Sequence, residues 1–273
     1  MLISPVYIPY KFCWLGATTP LKYRVWEAIG IKGSRFLFLN IKNRDEDEET
    51  ISNNVFSEIT YNEKVAICAE AVAKFVRYTY WGYKQYGLPW DRKKDKNNIV
   101  ARCIIKFAKL VASLRAPIKV LVEDDGKKKR TQITENLKEH PIRLTQQLYT
   151  IARSNAANHI RAELNYDDLK VVKYVALSSV PLDRKLTLEA LLASEIKENG
   201  LPAVGTGEIV KKLNISPYKA KSLIELFGLL GICEVSIPEP FLSKNDNYYY
   251  QDEYKMVLKE EYKWLLDKEI TEL

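Results

Sequence analysis

The sequence predicts a mainly α (α+β) chain: a helical body that carries one small β-hairpin, followed by a second helical unit that ends in a strand. Three observations lead there. Apolar residues recur at three- and four-residue steps through most of the long segments. One strong hairpin signal, Asp125-Gly126, lies between two alternating runs. The last third contains helices with a recognisable cap at one end and a glycine at the other.

Residues 1 to 42 read as strand, turn, short helix and strand, from "KFCWLGA", "TPLKYRVWEAIG" and "RFLFLNI". "NRDEDEET" reads as an acidic linker. A helix is expected from about Asn62 to Gln85, with Val65, Cys68, Ala69, Val72, Phe75 and Val76 at helical spacing. "WGYKQYGLPWDRKKDKNN" breaks it with glycine, proline and charge. "NNIVARCIIKFAKLVASL" predicts a second helix, stopped by Pro117. "IKVLVEDDGKKKRTQIT" is the hairpin, with Lys127, Lys128, Lys129 and Arg130 at its tip. Helices from about Ile142 to Ile160 and from Tyr166 to Ser179 follow, the second with Asp167 or Asp168 near its start as cap.

"DRKLTLEALLASEIKENG" predicts a helix closed by Gly200, and "GTGEIVKKLNI" a short helix entered at Thr206. "SPYKAKSLIELFGLLGICEVSI" predicts a third, capped by Ser216 with Pro217 at its first position, ended by Gly231 and followed by a strand. Ala220, Leu223, Ile224, Phe227 and Leu230 must face the first two helices, which leaves Tyr218, Lys219, Lys221 and Ser222 outside. That layout is a winged helix-turn-helix; a generic three-helix packing module is the alternative. The terminal "YKMVLKEEYKWLLDKEI" reads as an amphipathic helix.

Composition narrows the function. Four scattered cysteines without a C-x-x-C pair and two histidines argue against a zinc site and for buried, reduced thiols. No apolar run approaches the roughly 18 residues that cross a bilayer. The opening "MLISPVYIPYKFCW" contains two prolines and lacks a basic start, so no signal peptide is expected and the protein is placed in the cytoplasm. Two methionines with abundant Lys, Glu, Ile and Tyr suggest a thermophile. Residues 91 to 138 carry fourteen Lys or Arg against six Asp or Glu, 14 − 6 = +8, which exceeds the +7 of the whole chain. Such a segment is the footprint of a surface that meets phosphates, with DNA as the expected partner; a solvated loop region is the alternative. Tyr78, Trp81 and Tyr83, beside that segment, are candidates for stacking on bases, with a place in the core as the alternative.

No complete active site is present. A phosphate cradle of the G-x-x-x-x-G-K-[ST] type is missing, and no relay can be built from two histidines on unrelated helices. The ordered set "LGATTP", "GSRF", "PIRLTQQL" and "VALSSVPLDRK" nevertheless resembles the carboxy-terminal half of AAA+ helicase-like ATPases of phages and mobile elements. The resemblance implies an AAA+-like sensor-1 and arginine-finger remnant at 1–42 and a lid-like body with the basic hairpin at 43–180. It implies a winged helix at 181–237, which leaves the amphipathic helix at 238–273. It further implies roles for Thr18 or Thr19 in orienting the attacking water, Arg35 as finger and Arg143 as sensor 2. Those roles need a nucleotide-binding subunit on another chain. The isolated chain is expected to bind no cofactor and to hydrolyse no ATP; ATP and magnesium enter only with such a partner, and an oligomer is compatible with this. The competing expectations are a winged-helix transcriptional regulator and a protein-interaction module that binds no DNA.

Overall fold

The fold is taken from a computed structural model, which describes residues 21, 25–26, 36–41, 47–87, 92–96, 98–124, 129–136, 138–197, 200–236, 240–242, 248–250, 253–267 and 270. It is mainly helical with a small three-stranded antiparallel sheet. In chain order the elements are α1 (Glu48–Val55), α2 (Tyr61–Tyr86), α3 (Arg92–Asp95) and α4 (Ile99–Arg115). The hairpin β1 (Ile118–Asp124) and β2 (Lys129–Asn136) follows, then α5 (Ile142–Asn158), α6 (Tyr166–Ser178) and α7 (Leu182–Leu192). The last part comprises β3 (Ala203–Gly205), α8 (Thr206–Leu213), α9 (Pro217–Leu229), β4 (Cys233–Ser236), β5 (Pro240–Leu242), β6 (Tyr248–Tyr250) and β7 (Lys255–Leu258). A 3₁₀ helix, Glu260–Leu266, comes after β7.

α4 is the centre of the molecule. Every residue from Leu110 to Arg115 is buried, which no helix with one wet face could manage. Asn98 caps its start by accepting from the Val100 N–H at 2.8 Å and donates to the Leu164 carbonyl at 3.0 Å. Its other end would bury unsatisfied carbonyls. Arg184 of α7 reaches in and donates from Nη1 to the carbonyls of Leu114 (2.6 Å) and Ala116 (2.9 Å). α5 and α6 pack along α4, and Phe107 meets Trp264 of the 3₁₀ helix edge to face, with ring centres 5.0 Å apart.

α6 opens with a capping box. The Asn165 side chain accepts from the Asp167 and Asp168 N–H groups, while Asp168 accepts from the Asn165 N–H at 2.9 Å. Asp168 also holds Arg161 through both carboxylate oxygens (2.7 and 2.8 Å) and Asn155 at 2.8 Å. The pair Asp167 and Asp168 is thus capping chemistry at the helix start, with Asn165 as the cap residue itself.

Several expectations need correction. The terminal amphipathic helix expected within 238–273 is instead the β5–β6 hairpin, strand β7 and the 3₁₀ helix. The apolar period was real, but Met256 and Leu258 alternate into the core as strand residues, and Tyr262 and Leu265 follow on the 3₁₀ turn. The helix expected to run to Gly200 stops at Leu192, and its last part turns back through a bridge between Ile196 and Pro202. "NRDEDEET" is partly helical: Asp47 accepts from the Thr50 N–H at 2.7 Å and starts α1. The expected strand "RFLFLNI" does not form over 36–41. Side chains replace a neighbouring strand there: the Phe38 N–H donates to Ser179 Oγ at 2.9 Å, Arg115 donates to the Phe36 carbonyl at 3.3 Å and the Tyr174 hydroxyl to the Asn40 carbonyl. Of the thiols, Cys103 and Cys233 are buried, with burial pushing the Cys233 thiol up to about 12, but Cys68 is exposed.

Burial opposes the charge on Asp168, but the hydrogen bonds from Arg161, the Asn165 N–H and Asn155 outweigh it and hold the carboxyl below the ordinary carboxylate range. A lowered folded pKa stabilises the protein above the unfolded value of about 3.9 and is lost as pH falls through the folded value. Asp168→Asn is expected to cost about 3 kcal/mol at neutral pH. In urea melts the gap from the parent protein should narrow below about pH 4; a gap independent of pH would show that the charge is not what stabilises.

Candidate nucleic-acid interface

The surface that presents Tyr218 and Lys219 is made by the last part of the chain. α8 carries its buried side on Ile209 and ends at Asn214, which takes the left-handed conformation (φ 52°) and turns the chain sharply. Ser216 then caps α9, accepting from the Lys219 N–H at 3.3 Å, with Pro217 at the first helical position. Ala220, Leu223, Ile224 and Phe227 point into the core. Geometry therefore leaves Tyr218, Lys219 and Ser222 exposed, Tyr218 by 84%.

Behind α9 lies the sheet, in the order β3-β7-β4, antiparallel throughout. The connection from β4 to β7 carries the β5–β6 hairpin, in register Pro240–Tyr250 to Leu242–Tyr248. α9 approaches β4 closely because Gly228 has no side chain. A Cβ there would lie 2.7 Å from Val235 Cγ2.

The lysines of this surface are already engaged. Lys219 Nζ lies 3.2 Å from Asp183 Oδ2. Lys221 is half-buried, 4.0 Å from Glu225 and 4.4 Å above the Tyr254 ring. Lys212 bonds Glu208 at 2.8 Å and the Ala190 carbonyl at 3.1 Å. Over 183–236 seven basic residues face six glutamates and one aspartate, so this surface attracts phosphate weakly unless those pairs open.

Among the described residues, the other candidates lie on other elements. Lys127 and Lys128 lie outside the described residues; Lys129 and Arg130 open β2, opposite Asp124 and Glu123 in the ladder. Thr18, Thr19 and Arg35 also lie outside the described residues. Arg143 is exposed on the first turn of α5. Burial raises the Glu139 carboxyl above its ordinary value, while the charges of Arg115 and Arg143 hold it back. Tyr78 and Trp81 are exposed rather than in the core, and Lys84 Nζ sits 5.2 Å above the Trp81 ring. Of the Tyr83 side chain nothing is described.

One feature has no signal in the sequence: an open cavity of about 720 Å³ between α4 and α5. Ile104 and Ile105 form its apolar side, and Asp95, Tyr149 and Arg153 lie at one end. Arg153 pairs with Asp95 at 3.3 Å, and the Tyr149 hydroxyl donates to Asp95. Thr145 and Thr150 donate to the carbonyls of Pro141 and Gln146 on their own helix. Asp95, Tyr149, Arg153, Thr145 and Thr150 are thus bonded to one another or to the backbone. Among the described residues no cluster of His, Cys, Asp and Glu could hold a metal ion, and no helix is long and apolar enough to cross a membrane.

Comparison with protein-family models, with curated proteins and with solved structures gives no match to this chain.

A methyl group at Gly228 tests the seat of α9. Gly228→Ala is expected to lower stability by about 1–3 kcal/mol through overpacking against Val235. Adding Val235→Ala should recover part of that loss in thermal melts. If Gly228→Ala alone proves neutral, the close approach does not position the helix.

Proposed function

We propose that the chain is a nucleic-acid-binding protein whose last part is a winged helix. The observation that carries this reading is the order helix, strand, helix, helix, strand, strand (α7, β3, α8, α9, β4, β7) folded into a sheet of order β3-β7-β4. In that arrangement α9 takes the place of the recognition helix, and the β5–β6 hairpin takes the place of the wing. The exposed Tyr218, Lys219 and Ser222 suit contacts to phosphates and base edges. With Lys219 and Lys221 held by Asp183 and Glu225, affinity comes chiefly from the +8 of residues 91–138, and α9 orients the duplex. Binding of this kind is weak, salt-sensitive and mostly independent of sequence.

A second reading rests on the exposed Arg143 at the start of α5, the place where the resemblance to AAA+ ATPases puts sensor 2. On this reading the chain supplies Arg143 and Arg35 to a nucleotide-binding subunit. Arg35→Ala would then lower the ATPase rate of the mixture by roughly 10³-fold with the complex intact. An unchanged rate removes the second reading and leaves the first.

The DNA reading is tested by salt titration. Neutralising Lys127, Lys128, Lys129 and Arg130 together should flatten the log–log salt dependence by about three to four phosphate contacts, each worth roughly 0.9 in slope. Replacing Lys219 and Lys221, which are already paired, should remove about one contact, that of the exposed Lys219. An unaltered slope in the hairpin variant would make the basic segment a solvated face. If both variants bind as the parent does, the protein-interaction reading replaces the DNA reading.

A further inference from the structure

α2 changes character at its middle. From Ala71 to its end at Tyr86 it holds Lys74, Arg77 and Lys84 and no carboxylate. Lys74, Arg77, Trp81 and Lys84 follow one another at steps of three, four and three residues. They therefore stand in one line along the helix, with Tyr78 beside it. The line runs about 15 Å at 1.5 Å per residue. All of these side chains are exposed, Tyr78 by 71% and Trp81 by 60%. The apolar side of α2, with Val65, Cys68, Val72 and Phe75, lies on the opposite side of the helix. A ring meant for packing would share that side. Trp81 instead stands among cations: Lys84 Nζ lies 5.2 Å above its ring, and Tyr80 meets it edge to face with ring centres 6.3 Å apart.

Cations interleaved with exposed rings suit a polyanion that carries flat apolar groups. Indole and phenol rings stack on bases, and the ammonium and guanidinium groups between them meet the phosphates that join those bases. In a duplex the bases are stacked on one another and out of reach, so the rings select an unpaired strand. Glu70, one turn before the line begins, pairs with Lys74 at 2.7 Å. An exposed pair of this kind opens at little cost, which leaves Lys74 available to a phosphate. A membrane surface fits less well. A helix lying on lipid buries its apolar side, and that orientation would hold Trp81 away from the lipid.

We infer that this face of α2 is a site for single-stranded nucleic acid, with bases stacked on Tyr78 and Trp81 and phosphates held by Lys74, Arg77 and Lys84. The inference rests on the reading of the chain as a nucleic-acid-binding protein, and it adds a site for unpaired strands to the duplex surface of α9. Binding of oligothymidylate, of the same strand made abasic, and of a duplex is measured on the full chain by fluorescence anisotropy. Trp81→Ala should weaken oligothymidylate binding roughly tenfold or more, and Trp81→Phe should restore most of it. The abasic strand has nothing to stack, so it should bind more weakly and be indifferent to Trp81→Ala. Lys74→Gln, Arg77→Gln and Lys84→Gln together should flatten the log–log salt dependence of single-strand binding by about two, at roughly 0.7 per phosphate. Because the ring is exposed, the thermal melt of Trp81→Ala should match that of the parent, and its duplex binding should not change. Single-strand binding indifferent to Trp81→Ala, or an abasic strand weakened as much as oligothymidylate, overturns the site; a duplex that still binds then leaves the winged-helix reading standing. Single strands bound through Trp81 without any duplex binding keep the site and remove the duplex reading. A chain that binds neither overturns both. Capture by anionic phospholipid vesicles with no strand bound overturns the site and assigns this face to a membrane surface.

Discussion

A helix buried on every side has a problem at its ends, because its last carbonyls are sealed from water together with its side chains. The last turns of α4, Leu110–Arg115, are such a stretch, and the guanidinium of Arg184 solves the problem by donating to the Leu114 and Ala116 carbonyls. The donor comes from α7, the first helix of the last part of the chain. One side chain therefore closes the central helix and fixes where the next unit begins. An arginine suits this position because its several donors are held in a rigid plane and stay charged. Removing it would leave the two carbonyls without that donor, so the fold of the body and the placement of α8 and α9 depend on the same contact.

The second constraint is long in sequence. β7 is the middle strand of the three-stranded sheet, yet it follows β3 by some fifty residues and α9 by about twenty-five. β3 and β4 can pair only through it. Tyr254 beside β7 supplies the carbonyl that receives the Thr206 N–H at 3.0 Å, and Glu253 accepts from the Gly207 N–H at the start of α8. The strand thus both joins the sheet and caps the helix before the turn. The exposed face of α9 is held by contacts from both ends of the unit.

These facts explain what could be read in the sequence. Helices α2, α4, α5, α6, α8 and α9 were legible because period and caps are local, as Ser216-Pro217 shows. The outward face of α9 followed from Ala220, Leu223, Ile224 and Phe227 alone. β7 was not legible as a strand, since "YKMVLKEEYKWLLDKEI" fits a helical period and only its partners select the strand. The engagement of Lys219 by Asp183 and of Lys221 by Tyr254 was equally hidden, because each partner lies more than thirty residues away. The sequence counts charges; the fold decides which of them are spent.

The charges of the last part cancel: over 183–236 seven basic residues stand against seven acidic ones, several of them paired. The excess of +8 sits in residues 91–138, in another part of the chain. Shape and attraction are therefore supplied by different segments: α9 is held by packing and by its cap, which salt leaves alone, whereas the field of the basic segment is screened as salt rises.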